Sequence, residues 1–223
     1  MKVVVGPFKG LRYVERAVGS TVQPKLLGIY ERELWECVEQ AAKIPFETII
    51  DIGAAEGYYS IGMAMRIPAA KNIAFEMNPA GRELITEMAK LNGVDGRLDV
   101  RGRCEAADLI AAIPPSGSLM IVCDVEGHEK VLLDQSAIPA LSRAHILVEL
   151  HEMFVPGITE LIRSRFARTH EIKEIKSEAR STDEFPYQSL FRSVTPRRWL
   201  IPMVDEYRGR SMSWFWMRPI KGG

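Results

Sequence analysis

From Phe46 onward the chain repeats one pattern, a short apolar run followed by a turn and a segment with apolar residues at helical spacing. TIIDI (48–52), NIAFE (72–76), RLDVRG (97–102), SLMIVCDVE (118–126) and AHILVELH (144–151) read as strands. YYSIGMAMR (58–66), PAGRELITEMAKLNG (79–93), EAADLIAAI (105–113) and GHEKVLLD (127–134) read as the intervening helices. Pro79 at its start and Asn92-Gly93 at its end mark the bounds of the longest one. Runs apolar on both faces belong to parallel strands covered by helices on both sides, and right-handed crossovers leave few ways to connect them. An α/β fold is therefore predicted. GITELIRSRF (157–166) continues it as an amphipathic helix, with Ile158, Leu161, Ile162 and Phe166 on one side. HEIKEIK (170–176) and the aromatic SWFWMRPI (213–220) are two further strands without an ordinary crossover helix between them, which predicts an antiparallel hairpin at the sheet edge.

Before this region, the first twenty residues read as a short strand and loop. ERELWECVEQAAK (31–43) reads as a helix with Leu34, Trp35, Val38, Ala41 and Ala42 on one face, ended by Pro45. Residues 1–45 are thus set apart as an N-terminal extension, either a lid or packing, from a main domain over 46–223 with an insertion at about 177–212.

The glycine loop, IIDIGAAEGYYS, follows the first core strand, where open α/β sheets bind ligands. Gly53 and Gly57 permit positive φ and close approach of a ligand to the backbone. A dinucleotide fingerprint needs a middle glycine to admit a pyrophosphate, yet position 55 is alanine, and Asp51 at the strand end would repel phosphate. These features point to a cofactor without phosphates that carries positive charge, as S-adenosylmethionine does. Glu76, ending the second strand, suits a bidentate hydrogen bond to ribose hydroxyls.

From about Leu27 to His170 the chain resembles class I S-adenosylmethionine-dependent methyltransferases, and within them the FkbM-type family. The matching segments are LLGIYERELW, IIDIGAAEGYYSIGMA, IAFEMNP, LMIVCDVEGHEKVLL and ILVELHE, and D-V-E-G-x-E at 124–129 is the most specific. The family commonly has Asn after the Gly-Ala pair, where this chain has Ala55-Glu56. The resemblance implies a Rossmann-like, seven-stranded, mostly parallel sheet with helices on both faces and an antiparallel last strand. It implies that Asp51, Gly53 and Gly57, with Ala54 and Tyr59 beside them, line the methionine part of the cofactor. Glu76 and its neighbour Met77 would meet the ribose, Cys104 and Glu105 after Arg103 would border the adenine, and Asp124 would lie near the transferring methyl group.

DVEGHE and ELHE end two strands, so Asp124, Glu126, His128, Glu149 and His151 would emerge at the edge that carries the glycine loop. Such convergence of acids and imidazoles is poorly explained by packing, because buried carboxylates need partners. His151 is the first choice of general base for a hydroxyl acceptor, with Glu149 orienting it or the substrate and His128 and Glu129 read as first-turn residues. Alternatively Asp124, Glu126, Glu149 and His151 offer a ligand set for Mg²⁺ or Mn²⁺.

In the tail, Trp214 and Trp216 share one strand face and read as core. The competing reading is a substrate wall in which Arg208 or Arg210 holds an anionic group.

Lys plus Arg and Asp plus Glu both number 29, so no net field draws the chain to nucleic acid or an acidic membrane. The Arg-rich TPRRW (195–199) offers only a local anion contact. Three cysteines with no paired spacing, and an N-terminus without a signal-peptide core, predict a cytoplasmic protein. An S-adenosylmethionine-dependent O-methyltransferase of a small-molecule hydroxyl, on a sugar or secondary metabolite, is the expected function. An NAD(P)-dependent oxidoreductase and a non-catalytic cofactor-binding module are the alternatives.

Overall fold

The computed structural model describes residues 1–186, 196–208 and 212–220. The apolar runs form β1 (Thr48–Ile52), β2 (Lys71–Phe75), β3 (Leu98–Arg101), β4 (Leu119–Cys123), β5 (Ala144–Leu150), β6 (His170–Lys176) and β7 (Ser213–Pro219). They build one seven-stranded sheet in the order β3-β2-β1-β4-β5-β7-β6. The five strands from β3 to β5 are mutually parallel, and β7 runs antiparallel to β5 and β6. β1 has β2 on one side and β4 on the other, so the chain winds away from it in both directions. The loops leaving β1 and β4 therefore touch where they leave the sheet, then turn to opposite sides and open a crevice.

β6 and β7 form the antiparallel hairpin that the sequence predicts at the sheet edge, with β7 as its inner strand. β7 pairs along its length with both β5 and β6 and enters the sheet between them. Trp214, Phe215, Trp216 and Met217 are buried, which an interior strand requires. β6 alternates buried with charged residues and takes the edge, where Lys and Glu discourage pairing with another chain.

The helices are α1 (Val22–Leu27), α2 (Trp35–Ala41), α3 (Tyr58–Arg66), α4 (Pro79–Asn92), α5 (Ala106–Ala112), α6 (Glu129–Leu132), α7 (Ile158–Phe166) and α8 (Arg197–Val204). α4 starts as the sequence suggests, with Asn78 accepting from the Ala80 amide at 3.0 Å, and Gly93 closes it in the left-handed region. The predicted helix over 31–43 is shortened because Glu31 takes a left-handed φ of 48° and Arg32–Leu34 forms a 3₁₀ turn. The predicted first strand reduces to one antiparallel bridge between Lys2 and Arg12. α1 and α8 were not legible: six and eight residues, each interrupted by proline, carry little periodicity.

Side chains alternate across the sheet and divide the core in two. On one face Ile49, Val122, Leu147, Trp214 and Trp216 pack with α3, α4 and the N-terminal Val3, Phe8, Leu11 and Tyr13. On the other, Ile50, Ile121, Val148 and Phe215 pack with α5, α6 and α7. The N-terminal segment therefore covers the face toward which Asp51 and Glu149 project by the same alternation. Among the described residues no helix is long and apolar enough to cross a membrane.

Candidate active site

At the end of β1, Gly53 has φ +85°, and a Cβ there would stand 1.7 Å from the Asp124 carbonyl oxygen. The two loops cross so closely that only glycine fits. The Gly53 and Ala54 amides donate to Phe75 O at 2.9 and 3.0 Å, tying the loop to β2. Ala55 continues with a positive φ of 50° and turns its amide onto Glu76 Oε2 at 2.8 Å, while Asn78 donates to Glu76 Oε1 at 2.7 Å. Each carboxylate oxygen of Glu76 keeps a free lone pair, and the group is held rigid at the crevice wall. Gly81 permits this, since a Cβ there would meet Glu76 and Ala55 at 2.8 Å. Gly57 caps α3 and faces Ile61 and Ile85, so its place is structural.

A cavity of about 630 Å³ opens over these loops, within the size range of small-molecule sites. Gly53, Glu76, Met77, Cys104, Asp124 and Glu126 line it. Glu105 stands outside the lining, pairing with Arg103 at 2.6 Å and with His128 Nε2 at 3.1 Å. A smaller chamber of about 50 Å³ adjoins this cavity and brings together Asp51, Ala54, Tyr59, Asp124 and Glu149 with Glu31 of the N-terminal segment.

The chamber is rich in acid. Asp51 is buried and accepts from the Ser60 hydroxyl; burial pushes its carboxyl up to about 7, with Ser60 opposing and Asp124 adding. Burial, then the charges of Asp124 and Glu31, raise Glu149, against the pull of Arg208. Asp124 is raised by burial and by Glu31, but its side chain is 44% open to the cavity, so solvent takes back part of that rise. A cation entering the chamber would return these groups to their charged forms.

Arg208 is committed elsewhere than expected. Its guanidinium donates to Glu31 at 2.6 Å and to Glu149 and Glu206 at 2.7 Å, and it lies between the Tyr30 and Trp214 rings. Three of its N–H groups are thus taken by glutamates, and it joins the N-terminal segment, β5 and the tail. Arg210 lies outside the described residues.

The structure sets Glu129 against His151, while Glu149, expected to orient the imidazole or the substrate, pairs with Arg208. His151 Nδ1 and Glu129 Oε1 are 2.5 Å apart, and Glu129 is fully buried. His151 Nε2 looks toward Asp124 Oδ1 at 3.4 Å and Glu126 Oε2 at 3.6 Å. Burial alone would lower the His151 pKa, but the Glu129 hydrogen bond and charge, helped by Asp124 and Glu126, raise it overall. Glu129→Gln should therefore move the His151 titration to lower pH in an NMR titration of the imidazole. An unchanged midpoint would mean that Glu129 does not set its basicity. Asp124, Glu126 and His151 offer three ligand atoms within 4.8 Å of one another, whereas Glu149 is turned to Arg208.

Three contributors escaped the sequence reading. Glu31 and Tyr30 come from a segment whose approach to the site is a tertiary event. Glu129 differs from an ordinary helix-start acid only in being buried. Glu56 did carry a signal, as a charge in an otherwise apolar glycine loop. It is fully buried and accepts from the Tyr13 hydroxyl, from Lys25 Nζ at 2.5 Å and from the Val18 amide at 3.0 Å.

No family model matches the chain. Over 84 residues, 38% of this chain, it is 32% identical to a release factor glutamine methyltransferase of Cereibacter sphaeroides, of whose length it spans 29%. Among solved structures it is similar to a precorrin-6y C5,15-methyltransferase from Geobacter metallireducens, with a TM-score of 0.55, 12% identity, and coverage of 95% of this chain and 94% of that one. It is also similar to the O-methyltransferase TomG from Streptomyces achromogenes, involved in tomaymycin synthesis and solved with S-adenosylmethionine; the TM-score is 0.53 at 13% identity, covering 86% of this chain and 81% of that one. The fold is that of class I S-adenosylmethionine-dependent methyltransferases.

Proposed function

We propose that this chain is an S-adenosylmethionine-dependent methyltransferase acting on a hydroxyl of a small molecule, of sugar or secondary-metabolite type. The observation that carries the reading is the acid-lined crevice at the β1 switch point. There Glu76, fixed by two backbone amides, and Asp124 line a cavity of about 630 Å³, and Asp51 lines the chamber that adjoins it. The same acids disfavour a pyrophosphate, and with it an NAD(P)-dependent reaction. The FkbM-type assignment is supported by the D-V-E-G-x-E segment, and a reducing, cytoplasmic setting by three free buried cysteines.

When bound, the cofactor supplies an electrophilic methyl group on a sulfonium. Glu76 accepts from ribose hydroxyls through its free lone pairs, and Met77 and Cys104 border the nucleoside. Asp51 and Asp124 face the positive charge, and Gly53 and Ala54 let the backbone approach it. His151 takes the acceptor's proton at Nε2, with Glu129 holding the imidazole through Nδ1 and stabilising the imidazolium. Asp124 faces the same nitrogen and favours that charge. Glu149, paired to Arg208, shapes the chamber.

A thermal-shift comparison tests the assignment. S-adenosylhomocysteine at roughly 100 times its dissociation constant should add about 2.7 kcal/mol, a rise of about 5–10 °C for a chain of this size. Stabilisation by NAD and none by S-adenosylhomocysteine would sink the proposal. Binding with no methylation across a broad panel of hydroxyl acceptors would leave a cofactor-binding module instead. Mg²⁺ or Mn²⁺ held by Asp124, Glu126 and His151 is a second reading, favoured by the spacing of those three groups. It requires a metal-dependent shift that Asp124→Asn abolishes.

A further inference from the structure

The crevice carries acids for a sulfonium and an ammonium, yet an amino-acid tail also brings a carboxylate, which those acids would repel. The lining residues divide into two groups. Arg103, Cys104 and His128 cluster around Glu105, and Gly127 lies against Phe154 and Val155; these form the wall beyond Met77. Val18, Ser20, Lys25 and Tyr30 form the wall supplied by the N-terminal segment, fastened to the glycine loop through Glu56.

Lys25 is only 3% exposed, although lysine is seldom buried without a purpose. Its ammonium donates to Glu56 at 2.5 Å and to Ser20 Oγ at 2.6 Å, and stands 4.7 Å from the centre of the Tyr30 ring. An ammonium has three N–H donors, and these two bonds leave one over. Lys25 lines both the larger cavity and the acid chamber, together with Tyr30, Gly53, Ala55 and Asp124. Among the described residues the other full cation on the cavity lining is Arg103, whose 62% exposed side chain is engaged by Glu105. The junction of the two cavities thus presents carboxylates and one ammonium side by side, matching the two ends of a zwitterion.

We propose that Lys25 anchors the carboxylate of the cofactor's amino-acid tail. Glu56 holds the lysine in position and thereby makes the N-terminal segment part of the cofactor site. This inference rests on the methyltransferase reading. Lys25 is here a binding and specificity residue, and it takes no part in moving the methyl group.

Calorimetry with S-adenosylhomocysteine and with its decarboxylated analogue, 5′-(3-aminopropylthio)-5′-deoxyadenosine, tests it. Wild-type protein should bind the carboxylate-bearing ligand about 10- to 100-fold more tightly, the range of one charge-assisted hydrogen bond. Lys25→Met alone would strand the buried Glu56, so the double variant Lys25→Met/Glu56→Gln is used, in which the Gln carbonyl oxygen accepts from the Val18 amide and its NH₂ donates to the Tyr13 hydroxyl oxygen. Its affinity for the homocysteine ligand should fall by the same factor while affinity for the aminopropyl analogue holds, collapsing the ratio toward one. A double variant that keeps the wild-type ratio, or loses both ligands equally, overturns the assignment of Lys25. Wild-type protein that binds neither ligand overturns the methyltransferase reading itself, and Lys25's role falls with it.

Discussion

Gly53→Ala is expected to cost about 2–5 kcal/mol of stability and to abolish binding in the crevice. Holding an alanine in the left-handed region costs about 1–2 kcal/mol, and forcing a methyl into a filled space adds about 1–3 kcal/mol. The obstacle is backbone: the new Cβ would overlap the Asp124 carbonyl oxygen, so relief requires the β1 and β4 loops to separate. Asp51 on β1 and Asp124 on the loop after β4 flank this contact, and its separation would dismantle the acid chamber. Gly93→Ala is the control, because Gly93 also has a positive φ of 66° but nothing within 4 Å of an added Cβ. Urea denaturation should show the strain alone for Gly93→Ala and a clearly larger loss for Gly53→Ala. Equal losses would mean that the loops do not cross as described.

Arg208→Met should be as damaging for a different reason. Glu31, Glu149 and Glu206 have side chains only 3%, 6% and 3% exposed; Glu31 and Glu149 would lose their guanidinium partner, while Glu206 keeps Arg180. Removing one partner of a buried ion pair costs about 3–5 kcal/mol, because the remaining charge is neither solvated nor compensated. The loss should depend on pH. Burial first, then Asp124 and Glu31, already raise Glu149, and Arg208 is what opposes them, so its removal raises the folded-state pKa further. A carboxyl whose folded pKa exceeds the unfolded value of about 4.3 contributes stability below that value and loses it as pH rises through the folded pKa. With Glu149 already raised to about 10 beside Arg208, the deficit should be constant from pH 5 to 8 and widen only as pH rises through that value. Arg208→Lys should rescue little, since a single ammonium cannot reproduce the fork that reaches three carboxylates. A deficit that changes between pH 5 and 8 would show that Glu149 is not the group that sets its pH dependence.

The parts of the fold written in local periodicity were legible. The strands and helices from Thr48 to Phe166 follow from runs buried on both faces and from helices with proper ends, because those signals depend on neighbours a few residues apart. The place of β7 was not. Pairing between β5 and β6 is a choice among edges that only burial decides, and it needs both faces of SWFWMRP covered at once. The same division runs through the site. Gly53, Asp51 and Glu76 could be named because each stands at a strand end, where the geometry of an α/β sheet dictates what emerges. The sequence makes Glu149 the acid that orients His151 or the substrate and Glu129 a first-turn residue. Yet a place near a strand end does not say which of the two reaches the histidine. Their roles separated only when α6 turned Glu129 under the His151 ring and Arg208 drew Glu149 away.

By itself, then, the sequence determined a parallel α/β sheet with a phosphate-averse glycine loop at the end of its first strand. Backbone register and strand-end chemistry are local properties, and residues that touch in sequence suffice to specify them. Only the tertiary structure decided that residues 1–34 complete the crevice, through Lys25 on Glu56 and Glu31 on Arg208. Buried charges settle against whatever opposite charge the folded chain brings within reach, and that partner can lie 31 or 177 residues away.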